Sequence, residues 1–255
     1  GLGSRVVVSV VAEPSLEYPG RLMRFLARSL FYLADGVVLQ TKQAGQFFPA
    51  GIRKKSIILK NSLHPDFLRP RYTGVRAQDI VAVGRLDENK NQRMAIRAYC
   101  RIADAFPQSR LLLYGEGECR QALEALVEER GLQGRVLLPG AVTNVADRIE
   151  KAYAFVLTSF TEGMPNTLLE AMALGLPCIS TDCPCGPKEL IQDGVNGYLV
   201  GVDDDEALAE RLSALLSDPV LADRMGTQAA LLQEDYRPEQ VNAAWEAWLM
   251  PGGSI

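Results

Sequence analysis

Two glutamates, Glu162 and Glu170, stand eight residues apart around the run Gly163-Met164-Pro165-Asn166-Thr167. Fully helical chain between them would separate the carboxylates by about 12 Å, at ~1.5 Å per residue. At that distance they cannot share one proton, so the pair suits two separate contacts, one with a sugar hydroxyl and one with a ribose. Gly163 lets the backbone come close to a ligand. A helix starting after it offers unpaired N–H groups and a positive dipole end, which suits a phosphate. On spacing alone, a capped structural helix with one exposed Glu explains the same residues. A second set is Gly84-Arg85 with Lys90. Two cations beside a glycine can clamp a diphosphate, Arg by its fork and Lys as a point charge. Taken alone they also read as solvated surface charges. Two further loops, Tyr114-Gly115-Glu116-Gly117 and Pro139-Gly140-Ala141-Val142, say less, because a bare Gly-x-Gly is weak.

These residues need a scaffold that delivers them to one place. Residues 154–158 and 178–181 are short apolar runs that read as buried strands. Between them 166–174 holds strong helix formers, with Asn166 able to cap its start and Gly175 and Pro177 able to end it. Strand, loop, helix, strand makes a βαβ unit with a parallel sheet. The same alternation runs through 61–236. Strands are predicted at 80–84, 110–114, 135–138 and 198–200, and helices at 92–106, 118–130, 145–151, 205–216 and 220–234. This is the pattern of a doubly wound α/β domain, whose ligands lie at the carboxyl ends of the strands. All four loops above follow predicted strands.

Upstream, 5–11, 36–40 and 56–60 read as strands and 18–34 as a helix. Arg21, Arg24 and Arg28 fall near one face of that helix, with Leu22, Phe25, Leu26, Leu30 and Leu33 as apolar surface. Two readings compete, an ordinary packed helix with a solvated Arg face and a basic amphipathic helix on an anionic membrane. The turn-rich Asn61-Ser62-Leu63-His64-Pro65 marks the domain boundary. His64, the only histidine, reads as structural there. A last helix, 238–249, carries Trp245 and Trp248.

Composition narrows the function classes. The 255 residues are 47% hydrophobic, enough for a real core, and the net charge of −4 argues against a general nucleic-acid binder. Five cysteines form no regular framework, which points to a reducing, cytosolic compartment. Cys183-Pro184-Cys185 suggests a metal clip, but one histidine and no second cysteine pair leave it without ligands. No metal site is assigned.

The stretch Glu162-Gly-Met-Pro-Asn-Thr-Leu-Leu-Glu170-Ala-Met-Ala-Leu-Gly-Leu-Pro177 resembles the E-x7-E element of retaining GT-B glycosyltransferases. The nearest likeness is to the large family 4-like, group 1 set, with mannosyl-, glucosyl- and N-acetylhexosaminyl-transferases of bacterial surface polysaccharides. It extends over about 34–202. The resemblance implies transfer of a hexose or N-acetylhexosamine from a nucleotide diphosphate sugar, a UDP-sugar by preference, to a hydroxyl with retention of configuration. No cofactor is implied. Arg85 and Lys90, matching the family's R-x4-K element, would hold the diphosphate near Gly84. Glu162 would face the sugar, the backbone of Gly163, Met164, Pro165, Asn166 and Thr167 the phosphate, and Glu170 the ribose. Gly115 would lie near the nucleotide, and backbone near Val142 would read the base. The partners implied are the donor and a sugar or lipid-linked acceptor, with peripheral contact at the cytoplasmic face of the membrane.

One departure stands against this. Family members have two similar-sized Rossmann-like halves, whereas only about 60 residues precede the boundary here. The family's glycine-rich N-terminal loop and its histidine-bearing segment have no counterpart, and the Glu13-Pro14 match is short. The expectation is therefore a remnant of the acceptor-side domain at 1–60, a donor domain at 61–236, and a helix at 237–255 packing back toward the N-terminal part. A chain truncated in this way would be inactive alone. The alternatives are a non-catalytic nucleotide-sugar-binding half that serves as a partner subunit, and a GT-B nucleotide-sugar epimerase, whose in-cleft acids cannot be identified here.

Overall fold

The computed structural model describes residues 5–250 except Ala12, with the backbone alone at Leu16. The outer ends of the predicted 1–60 and 237–255 segments lie outside the described residues. The chain opens with β1 (Val7–Val10), α1 (Pro14–Glu17), α2 (Gly20–Leu30), β2 (Gly36–Leu39), α3 (Lys42–Gln46), α4 (Ala50–Arg53) and β3 (Ser56–Ile58). After the turn at His64 come β4 (Asp79–Val83), α5 (Gln92–Ile102), β5 (Arg110–Tyr114), α6 (Arg120–Glu129), β6 (Val136–Gly140) and α7 (Val145–Ile149). The central unit follows, β7 (Ala154–Leu157), α8 (Asn166–Ala173) and β8 (Cys178–Thr181). The chain closes with α9 (Pro187–Leu190), β9 (Tyr198–Val200), α10 (Asp205–Ser217), α11 (Pro219–Ala230) and α12 (Pro238–Leu249).

Strands β4 to β9 form one parallel sheet in the order β6-β5-β4-β7-β8-β9. The reversal between β4 and β7 is the switch point where such sheets bind ligands. Because successive side chains point to opposite faces, Ile80 and Ala82 join α5, α6 and α10 in one core, while Val81, Phe155 and Leu157 join α7 and α8 in the other. Both faces are covered, which is why these strands read as continuous apolar runs. Fully burying side chains such as Phe155 or Ile80 contributes about 1.5–3 kcal/mol each.

A second parallel sheet, β1-β2-β3, holds the N-terminal unit. Trp248 of α12 is buried against it, over Gly36 and beside Val38 and Leu59, with the Arg5 guanidinium stacked on the indole ring. Loop contacts tie this unit to the large sheet's carboxyl edge. The Lys42 amide donates to Glu189 Oε1 (2.8 Å), the Cys185 amide to Gln43 Oε1 (3.1 Å), and Asn61 Nδ2 to Asn166 Oδ1 (3.2 Å).

Three expectations are corrected. Asn166 does not cap α8. It is the first helical residue, Pro165 precedes it without a side-chain cap, and its side chain is taken by Asn61. The predicted end holds, with Gly175 left-handed at φ 71° just past Leu174. The packed reading of 18–34 holds only in part. That span holds α2 and a 3-10 turn at Phe31–Leu33, and of its apolar residues only Ala27, Phe31 and Ala34 are buried. Leu22, Phe25, Leu26, Leu30 and Leu33 are all exposed. Finally, 220–234 is not one helix, because α11 ends at Ala230 and a 3-10 turn runs to Tyr236. Helices α1, α3, α4 and α9 went unpredicted, since four or five residues are too short to show a period.

Candidate nucleotide-sugar site

The loops after β4, β5, β6 and β7 meet at the carboxyl end of the large sheet. Backbone bonds stitch them together: Gly84 N to Tyr114 O (3.0 Å), Gly115 N to Gly140 O (2.9 Å) and Leu86 N to Glu116 O (2.9 Å). Gly115 is required there. Its φ is 142°, and a Cβ on it would lie 1.8 Å from Gly84 O. An open cleft results, lined by Gly84, Arg85, Tyr114, Gly115, Glu116, Ala141, Val142 and Val145. Its walls are largely backbone and small apolar groups, a surface suited to a flat ring.

Beside the cleft, β4 and β7 bring Lys90 and Glu162 into contact, with Lys90 Nζ 2.6 Å from Glu162 Oε1. The glutamate side chain keeps only 9% of its surface exposed and the lysine 20%, so little water screens the pair. Ser159 Oγ donates to the same carboxylate oxygen, also at 2.6 Å. Among the described residues no hydrogen bond reaches Glu162 Oε2. The two loops are clipped further by Asn89. Its Nδ2 donates to Thr161 O (3.0 Å), its Oδ1 accepts from Thr161 Oγ1 (2.9 Å) and its carbonyl accepts from Phe160 N (2.8 Å). Thr158 Oγ1 donates to Lys90 O (2.8 Å).

Arg85 behaves differently from Lys90. Its side chain is 81% exposed and reaches back to the buried Asp87 carboxylate at 2.8 Å, whose other oxygen accepts from the Lys90 amide at 2.9 Å. Lys90 is therefore held in place, whereas Arg85 is exposed and, among the described residues, held only by Asp87. On α8, the amides of Leu168 and Leu169 are spent on Pro165 O. Those of Asn166 and Thr167 have no backbone acceptor among the described residues and remain for an anion. Met164 is buried in the core and Pro165 has no N–H, so Met164 offers a ligand only its backbone and Pro165 no amide donor. Gly163 O lies 2.1 Å from where a Cβ of Gly186 would stand, so the loop after β8 packs directly on this turn.

Glu170, in the second turn of α8, is part-buried, and desolvation pushes its carboxyl up to about 7 from an ordinary 4.5. It is not the solvated glutamate of the structural-helix alternative. Burial also pushes the Cys183 thiol up to about 11, which keeps it protonated and a poor metal ligand. The Cys185 thiol is raised by burial too, with Glu13 and Glu189 adding to the shift. Among the described residues no cluster of three or more metal-ligating side chains is found. His64 accepts from the Asp66 amide (3.4 Å) and caps a 3-10 turn away from the cleft.

The candidate donor-site residues Gly84, Arg85, Lys90, Gly115, Val142, Glu162, Gly163, Met164, Pro165, Asn166, Thr167 and Glu170 thus all lie on one of these loops or on α8. The contact between Lys90 and Glu162, and the parts of Ser159, Asn89 and Thr161, were not foreseen. The loops holding them are about 70 residues apart, and no spacing rule links them.

Comparison with known proteins gives the family and the fold. A family model described as "Glycosyl transferases group 1" matches residues 77–218. An uncharacterized glycosyltransferase of Methanocaldococcus jannaschii is 32% identical over 67% of this chain and 46% of its own length. A Campylobacter jejuni protein, named as an alpha-1,4-N-acetyl-D-galactosaminyltransferase acting on a diNAcBac-PP-undecaprenol glycan, is 27% identical over 96% of this chain and 68% of its own. Among solved structures, HepE of Anabaena in complex with UDP superposes with a TM-score of 0.87 at 18% identity, over 96% of this chain and 72% of that one. The chain therefore spans about half to three quarters of the length of these proteins.

Proposed function

The chain belongs to the group 1 glycosyltransferases and has their GT-B fold, and from that premise we propose that its large sheet binds the nucleotide-sugar donor of a retaining hexosyl or N-acetylhexosaminyl transfer. UDP is the preferred nucleotide, in keeping with the UDP complex of HepE. The acceptor is a hydroxyl of a sugar or lipid-linked sugar, and the pathway is bacterial polysaccharide or glycolipid synthesis. The observation that carries this reading is the Lys90–Glu162 contact at the switch point. One cation and one carboxylate, fixed side by side next to a glycine-floored cleft, suit the junction between a diphosphate and its sugar.

In this reading the base lies in the cleft near Val142 and Gly115, and Glu170 accepts from the ribose hydroxyls. The diphosphate sits against Gly84, within reach of Arg85, Lys90 and the amides of Asn166 and Thr167. As the bond from the sugar to the diphosphate breaks, negative charge grows on the leaving oxygen. Lys90, already in place, stabilises that charge without reorganisation, and Arg85 adds to it once turned in from Asp87, so no metal is invoked. Glu162 holds the sugar in orientation through Oε2. Calorimetric titration of UDP into the 255-residue chain tests the reading. Saturable one-site binding that tightens with the diphosphate is expected, and no binding at millimolar UDP would reject it.

Helix α2 supports a second contact, with a membrane surface. Arg21, Arg24 and Arg28 run along one side of it and the exposed apolar side chains of Leu22, Phe25 and Leu30 along another. Among the described residues no helix is long and apolar enough to cross a membrane. The proposed contact is a peripheral one made by α2, at the cytoplasmic face if the acceptor is lipid-linked. Each basic residue at an anionic surface contributes roughly 1 kcal/mol. The chain should float with phosphatidylglycerol vesicles, and the triple Arg→Gln variant should largely stay behind. Flotation indifferent to that change would leave the surface without a membrane role.

A further inference from the structure

The donor reading leaves one polar group near the sugar end unassigned. Ser159 lies in the turn after β7 and is fully buried. Its hydroxyl spends its proton on Glu162 Oε1 at 2.6 Å, within the range of a charge-assisted O–H···O⁻ bond. Its carbonyl is fixed in turn by Thr181 Oγ1 at 2.7 Å, from the buried end of β8. The serine is thus held from the neighbouring strand, not from the loop that carries Glu162.

Lys90 donates to the same oxygen, but Lys90 is also the cation assigned to the diphosphate. Once a diphosphate arrives, the ammonium must divide its three N–H donors between two anions. Its grip on Glu162 then weakens at the moment when the carboxylate has to be in position. Ser159 has no such second task. Both donors converge on Oε1, and Oε2 is left without a hydrogen bond among the described residues. The carboxylate is therefore anchored at one oxygen and offered at the other.

Resting on the donor reading above, we propose that Ser159 is the positioning residue of Glu162, keeping Oε2 turned to the donor sugar when Lys90 engages the diphosphate. The hydroxyl touches no ligand itself, so its loss should appear only where Glu162 matters.

The test is a double-mutant cycle on binding, with UDP, UDP-glucose and UDP-N-acetylglucosamine as probes. Ser159→Ala should leave UDP affinity within about two-fold. It should weaken the better-bound UDP-sugar by about ten-fold, the scale of one hydrogen bond to a charged group. In a Glu162→Ala background, Ser159→Ala should have no further effect on the UDP-sugar. Should Ser159→Ala fail to fold, Ser159→Cys keeps the shape with a weaker donor and should give a smaller, equally selective loss. Equal losses for UDP and UDP-sugar would make the serine merely structural and overturn the proposal. So would an unchanged UDP-sugar affinity, or a full additional loss in the Glu162→Ala background. If Glu162→Ala itself leaves UDP-sugar binding intact, the assignment of Glu162 to the sugar falls, and the role of Ser159 falls with it. A selective loss from Glu162→Ala but not from Ser159→Ala removes the serine alone.

Discussion

Lys90→Ala is expected to weaken UDP binding by about 1.5–3 kcal/mol, the range for a hydrogen bond to a charged group, and to leave uridine binding nearly unchanged. The loss should fall toward the upper end. In the intact site Lys90 neutralises Glu162 at 2.6 Å. Without it, an incoming diphosphate meets a part-buried carboxylate with no cation between them. Arg85→Ala should cost less, because that side chain is 81% exposed and already paired with Asp87, and solvated pairs contribute little. Calorimetry with UDP and uridine on both variants checks this. If uridine loses as much as UDP from Lys90→Ala, the lysine supports the fold of the cleft and not the phosphate.

The two glutamates should separate just as sharply. Glu162→Ala is expected to abolish transfer in the whole enzyme and weaken UDP-sugar binding while sparing UDP, since it also frees Lys90 for the diphosphate. Glu170→Ala should weaken UDP itself by removing a ribose contact. Its pH dependence has a definite sign. A ribose hydroxyl donates to the ionised carboxylate, and the free protein holds Glu170 near 7. The contribution of Glu170 to UDP affinity should therefore grow as pH rises through 7 and vanish below it. UDP titrates as well, so the comparison is with Glu170→Gln, in which this component is absent. The sign for stability is opposite. The folded pKa is raised above the unfolded value of 4.5, so the folded state binds more protons between the two, and stability falls as pH rises from 4.5 to 7. Glu170→Gln should then raise Tm at pH 8 and leave it unchanged at pH 4.5. Equal weakening of UDP by the two alanine variants would collapse the division of roles.

The sequence carried the large sheet well because its strands are buried on both faces. Residues 80–83 and 154–157 carry no polar interruption, and the helices between them are long enough to show a period. The site was legible as far as it is local. Gly84 to Lys90 lies in one loop, and Glu162 to Glu170 in one loop and the first two turns of α8, so spacing could suggest a phosphate clamp and two separated acids. What spacing cannot carry is contact across the switch point. Nothing in the order of residues says that Lys90 and Ser159 converge on one oxygen, or that Asn89 clips the loop of Thr161. Those contacts follow from β4 pairing with β7, a tertiary fact. The corrections have similar causes. Asn166 has the right type for a cap, yet Pro165 takes the position before the helix and Asn61 takes its side chain. The apolar pattern of α2 resembles that of any core helix, and only the exposure of Leu22 and Phe25 separates the two.

The most direct test of the donor site is a crystal structure of the chain with UDP. The diphosphate is expected between Gly84, Lys90 and the amides of Asn166 and Thr167, with Arg85 turned in from Asp87, the ribose hydroxyls on Glu170 and the base against Val142. A second hollow lies at the amino ends of the strands, bounded by Arg71, Tyr72, Gly175 and Asp223. UDP bound there, or bound in the cleft with its phosphates away from Lys90 and its ribose away from Glu170, would contradict the assignment.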